Sequence, residues 1–214
     1  MALGSPYATL AQLKSRLGII SPGDTGDDLA LTNALNSATD ALGGLCGRQF
    51  NDVGAGNESA RVYYPDTLTE VTVDDFQSSA GFVLAADYSN AGVYPTIIAA
   101  ANYQLEPLNG IYDGTTGWPY FRIRAIQTWY PIWYTSIGDP RTSIQVTARW
   151  GWVTVPPSIV EACLIIAEEV FKLKDIPYGI AGIDPTGYAL RVARENPQAR
   201  MLYARYIRRP VLVA

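Results

Sequence analysis

The feature that most constrains the fold is a change of hydrophobic period, made twice. Up to Phe50 the apolar residues recur at helical spacing; after it they alternate; then the run "VTARWGWVTVPPSIVEACLIIAEEVFKLKD", Val146 to Asp175, turns from strand back to helix. Ile144, Val146, Ala148 and Trp150 fall on one side of an alternating segment, with Gln145, Thr147 and Arg149 on the other. Pro156 and Pro157 cannot continue a central strand. Beyond them two apolar stripes lie side by side: Ile159, Cys163, Ile166, Val170 and Leu173, and Val160, Leu164, Ala167 and Phe171. A helix this broadly apolar needs cover on two sides. Ser158 and Glu161 have the spacing of a capping box, and Glu168 and Lys172 stand at i, i+4 in the favourable order.

The cover is expected from the N-terminal segment. Thr9 and Gln12 form a capping box ahead of Leu10, Leu13 and Leu17. "SPGDTGDD" reads as a turn-rich loop whose acids precede a second helix, from about Asp27 to Cys46, with the stripe Leu31, Ala34, Leu35, Ala38, Leu42 and Leu45. Gly43 and Gly44 suggest a close helix approach there. Between the helical parts, "RVYY", "EVTVDDF", "GFVLAA", "YQLEPL", "YFRIRAI" and "TSIQVTARW" are short strands of an antiparallel sandwich or barrel. "IPYGIAGIDPTGYAL" reads as loop, and Asn196-Pro197 starts a last helix that Pro210 ends. The fold class is α+β: a bundle of two N-terminal helices, one long helix and one C-terminal helix, with a small antiparallel β domain inserted. The domain boundaries are 1–50 with 151–214 for the helical part and 51–150 for the β insert.

Of 214 residues none is histidine, which removes the commonest general base, the serine–histidine triad and most zinc sites. Neither GxGxxG nor GxxxxGK[ST] occurs. Cys46 and Cys163 fall in helical patterns and read as buried thiols rather than a disulfide or a nucleophile. No run of about eighteen apolar residues exists to span a membrane, and the N-terminus has no secretory-signal pattern. Hydrophobic content of 48% against 17% charged residues argues for an apolar surface or one covered by partners. Residues 1–107 carry twelve Asp/Glu and four Lys/Arg; residues 108–214 carry eight and twelve. Such a chain could pair head-to-tail with copies of itself, or carry two solvated faces on one monomer.

Asp74-Asp75 would face each other only with a bulge, and a strand-end turn is the better reading than a glycosidase pair. The 21–28 loop lacks the EF-hand spacing. Catalytic, metal and cofactor sites are therefore not expected. The aromatics Trp118, Tyr120, Phe121, Trp129, Tyr130, Trp133 and Tyr134, within seventeen residues, are either a small core of the β insert, a protein interface, or a sugar-stacking platform. Arg200, Arg205, Arg208 and Arg209 surround Tyr203 and Tyr206 on the last helix, and "VLVA" closes the chain. A solvated helix face or an acidic protein partner explains them better than nucleic acid, because the net charge is −4.

Three segments together resemble the head–tail connector proteins of tailed phages, the adaptor or head-completion family. They are "YATLAQLKSRLGI…DDLALTNALNSATDALGGLCGRQF", "ARWGWVTVPPSIVEACLIIAEEVFKLKD" and "ARENPQARMLYARYIRR". The resemblance covers about the first fifty and last seventy residues; the β region is longer than in the short, all-helical members. It implies a non-enzymatic virion protein at the head–tail neck, assembled in the host cytoplasm as a homo-oligomeric ring of about twelve copies. The ring would sit under the portal protein, extend the DNA channel without specific DNA binding, and dock the tail, through a stopper or tail terminator. Arg200, Tyr203, Arg205, Tyr206, Arg208, Arg209, Val211, Leu212 and Val213 would form the portal-docking element. Trp118, Tyr120, Trp129, Tyr130, Trp133 and Tyr134 would form the tail-side interface. Acidic or neutral side chains of the front half would line the lumen. The alternatives are a carbohydrate-binding β module of a phage tail or baseplate and, last, a hydrolase using Asp or Glu alone.

Overall fold

The structure is a computed structural model that describes residues 4–19, 21, 23–67, 69–89, 91–126, 143–173 and 196–208, with 180–183 and 189–191 as backbone. The chain divides into two compact units, one from Met1–Asn51 and Val155–Arg209, the other from Asp52–Thr154.

The helical unit contains α1 (Leu10–Arg16), α2 (Asp28–Cys46), α3 (Pro157–Lys172) and α4 (Pro197–Tyr203). Thr9 caps α1 as expected: its Oγ1 accepts from Gln12 N at 3.2 Å, and Gln12 Oε1 accepts from Thr9 N at 2.8 Å. Gly47, at φ 61°, ends α2 in the left-handed conformation that glycine tolerates best. α3 starts differently from the expectation. Pro156 is its N-cap and Pro157 its first residue, with no side-chain cap. Ser158 Oγ is instead 3.2 Å from Tyr206 Oη, to which it donates, and Glu161 accepts from Arg16.

α3 packs against α2, α4 and α1. It buries Ile159, Ala162, Cys163, Leu164, Ile165 and Ala167, whereas Ile166 is half-buried and Val170 and Leu173 are exposed. α2 buries Leu31, Leu35 and Leu42 completely, each worth about 1.5–3 kcal/mol relative to exposure. Leu45, expected in that stripe, is 50% exposed; Cys46 takes the inward position. Gly43 does meet a close neighbour, but not a helix: an added Cβ would lie 3.3 Å from the Tyr7 hydroxyl, and at Gly44 nothing is within 4 Å.

The β unit is a two-layer antiparallel sandwich. One sheet contains β1 (Ser59–Tyr63), β9 (Ile144–Ala148), β3 (Val83–Ala86) and β4 (Thr96–Ile97), in that order. The other contains β2 (Glu70–Phe76), β8 (Tyr120–Ala125) and β5 (Tyr103–Glu106). Their inner faces share one core in which Val71, Val73 and Ile123 of one sheet meet Leu84, Ile144 and Val146 of the other. Trp150 closes it, fully buried, with its indole N–H donated to Ser59 O at 2.8 Å. A hairpin arm, β6 (Ile111–Tyr112) and β7 (Thr115–Thr116), lies in the chain between β5 and β8. Asp113 and Gly114, both at positive φ, make its two-residue turn. β10 (Ile180–Ile183) pairs antiparallel with β11 (Ala189–Arg191) where the sequence suggested loop.

Candidate interaction surfaces

The two outer faces of the sandwich differ in kind. On the three-stranded sheet, register places Glu70 opposite Arg124, Gln104 opposite Arg124 and Glu106 opposite Arg122. Arg124 bonds Glu70 at 2.7 Å and approaches Glu106 at 3.4 Å, and Arg122 lies 3.8 Å from Glu106. Alternating charges across neighbouring strands make this a face adapted to water.

On the four-stranded sheet the corresponding face carries no charge in two successive rows. Val62 stands opposite Gln145, Gln145 opposite Ala85, and Ala85 opposite Ile97. The next row is Ala60, Thr147 and Val83. Val62 is 51% exposed and Ile97 72%. The charged residues of this sheet lie elsewhere. Arg61 points inward, its guanidinium 4.3 Å from the Trp150 ring and 2.7 Å from Asp74. Arg149, beyond the end of β9, pairs with Asp52, whose carboxyl is held below the usual carboxylate range chiefly by that hydrogen bond.

The acidic pair sits within β2, at a register shift between Thr72 and Phe76, and not in a strand-end turn. Asp74 accepts from Arg61 and from the Tyr63 hydroxyl at 2.8 Å, while Asp75 is buried and accepts from Trp152 Nε1 at 2.8 Å. Each carboxylate braces a neighbouring element, and among the described residues no group of three metal-ligating side chains converges.

The aromatic stretch is split. Trp118 is buried, with its ring 4.9 Å from Tyr112 and 5.1 Å from Trp152; Phe121 joins them. Tyr120 is half-buried against the sandwich core, 5.4 Å from Phe76. For Trp118 the expected exposed interface is corrected: it is interior, packed beneath the hairpin arm, whereas Tyr120 keeps part of its surface exposed. Trp129, Tyr130, Trp133 and Tyr134 lie outside the described residues. What the arm does expose is Leu108, Ile111 and part of Tyr112.

The last helix is corrected in the same way. Tyr203 and Tyr206 are buried, not displayed beside the arginines. Tyr206 stacks edge-on against Phe50 at 5.7 Å, and its carbonyl accepts from the buried Arg48 Nε at 2.8 Å. Asn196 caps the helix, accepting from Gln198 N at 2.8 Å. Arg200 and Arg205 are exposed and Arg208 half-buried; Arg209, Val211, Leu212 and Val213 lie outside the described residues. The thiols are inert by position. Burial pushes Cys46 up to about 11 and raises Cys163, whose Sγ lies 3.7 Å from Thr39 Oγ1.

No family model and no curated protein matches the sequence. Among the solved structures that share the fold is a chain from the neck of an empty GTA (gene transfer agent) particle, computed with C6 symmetry. The identity is 18% and the TM-score 0.61, and the match covers 100% of this chain and 96% of that one.

Proposed function

We propose that this chain is a structural protein of the head–tail neck of a tailed phage or phage-like particle. The observation that carries the reading is the full-length likeness of fold to a chain of a particle neck, helical and β parts together. It was reached independently of the three sequence segments that resemble head–tail connectors. In this role the chain forms a ring beneath the portal, continues the DNA channel, and offers a docking surface to the stopper or tail. C6 symmetry in the related neck fits a ring whose copy number is a multiple of six, which includes the twelve implied by the sequence resemblance. The role requires no catalytic step and no cofactor. Arg200 on α4 and Arg205 just beyond it are exposed and Arg208 is half-buried, a charge type suited to acidic groups of a portal.

The carbohydrate-module alternative needs a row of exposed rings. Among the described residues Trp118, Phe121, Trp150 and Trp152 are all buried and cannot serve in one, while Trp129, Tyr130, Trp133 and Tyr134 lie outside the described residues. The test is genetic. Particles made without this chain should consist of DNA-leaking heads that fail to acquire tails, and supplying the chain should restore joining. Normal yields of tailed particles in its absence would refute the reading.

A further inference from the structure

The β unit has two exposed apolar patches on different elements, the first without charge in two successive rows and the second beside one charge, Asp113, at its turn. One is the outer face of the four-stranded sheet, where Val62, Val83 and Ile97 are 51%, 39% and 72% exposed. The other is the hairpin arm with the turn that precedes it, where Leu108, Ile111 and Tyr112 are 57%, 50% and 42% exposed. Neither is explained by the fold itself. The opposite outer face of the same sandwich shows what this chain places in contact with water: paired glutamates and arginines in cross-strand register.

We propose that these two patches are the halves of one head-to-tail contact between copies of this chain, the arm of one β unit lying on the four-stranded sheet of the next. This rests on the ring reading above and deepens it. Three observations select a second copy as the occupant. A ring is built from heterologous contacts, which need two different, mutually complementary patches on every subunit. The β unit presents such a pair, a sheet face and a hairpin arm, each with exposed apolar side chains. Second, residues Asp52–Thr154 carry ten Asp/Glu against five Lys/Arg, so neighbouring β units repel one another through most of their surface. A face with no charge in two successive rows is where like-charged copies approach at least cost. Third, the neck that shares the fold is an assembly with C6 symmetry, in which copies recur around an axis.

The arm is also suitably built. Its turn is fixed by Asp113 and Gly114, and its base is held by the Tyr112, Trp118, Phe121 and Trp152 rings. A stiff arm loses little freedom on docking.

The test uses full-length chain supplied to particles that lack their own copy, with the amount recovered in purified particles as the readout. Wild-type chain should be incorporated. Ile97→Glu and Ile111→Glu, on opposite sides of the contact, should each reduce incorporation at least tenfold while leaving the melting temperature unchanged. Ile97→Lys combined with Ile111→Glu should recover at least half, because the two new charges meet across the contact. Wild-type-like incorporation of either single variant would overturn the proposal and leave the neck reading intact. So would loss by both singles without recovery in the pair. Absence of the wild-type chain from particles would instead defeat the neck reading itself, and the proposal with it.

Discussion

The helical and β units solve the same problem, keeping a mostly apolar chain in water, with opposite charge balances. Residues Met1–Asn51 and Val155–Arg209 carry ten Asp/Glu and eleven Lys/Arg, a balance of +1; Asp52–Thr154 carry ten and five, a balance of −5. The sequence divides its charge differently, into an acidic front half and a basic back half. Of the twelve acids in that front half, Asp24, Asp27, Asp28 and Asp40 belong to the helical unit and the other eight to the β unit. Acid excess is thus a property of the sandwich, and any acidic lining of a DNA channel is to be sought there. The units also differ in how they spend their polar groups. In the helical unit ion pairs clasp helices together, as Arg16 does by bonding Glu161 at 2.6 Å and Glu168 at 2.7 Å. In the β unit a set of them is laid across one sheet face, while two successive rows of the other face carry no charge.

Breaking the core of either unit should show the largest effects. Trp150→Ala removes the side chain that closes the sandwich and should cost about 3–5 kcal/mol, read as a lower midpoint in urea. Ile159→Asp places an unpaired charge where α3 is completely buried and should cost several kcal/mol, roughly the same size, with loss of helical circular dichroism. Retention of wild-type stability by either variant would contradict the assigned cores.

Smaller changes separate the polar devices of the two units. Asp75→Ala deletes the carboxylate that receives the Trp152 indole and should cost about 1–3 kcal/mol. Thr9→Ala removes the cap of α1 and should cost about 1 kcal/mol. The smallest effect is that of acid. Glu168 is held below its ordinary range by Lys172 and then Arg16, and Asp52 by Arg149. A depressed carboxylate contributes stability above its unfolded value and loses it as pH falls through its folded one. Titration from neutral pH should therefore show a modest decline that begins below about pH 4. Both carboxylates are partly solvent-accessible, so salt should weaken the effect. A stability that rises on acidification would contradict these pairings.

How much of this was legible in the sequence depended on whether a signal was local. The six main strands and α2 could be read because alternation and 3.6-residue periodicity report burial directly. Ile144, Val146, Ala148 and Trp150 are all fully buried, as their spacing required. The β6–β7 hairpin was missed although Asp113-Gly114 is a strong two-residue turn signal; its strands are too short to show a period. The start of α3 was misread because Ser158 and Glu161 matched a cap, whereas two prolines one step earlier fixed the helix and freed both side chains for tertiary contacts. Tyr203 and Tyr206 were placed on the surface through their arginine neighbours, yet Phe50, 153 and 156 residues earlier in the chain, determines their environment only in part and only in three dimensions: its ring meets Tyr206. The bare sheet face had a readable sign, the lack of charge at Ala60, Val62, Val83, Gln145 and Thr147, but its continuity exists only through strand register.

The central claim is tested most directly by the density of the neck in intact particles that carry this chain, solved by electron cryo-microscopy. The account predicts a closed ring of this chain between portal and tail, in a multiple of six copies, about twelve, around the DNA channel. A neck fully accounted for by other proteins, with this chain absent or present as isolated copies elsewhere on the particle, would contradict it.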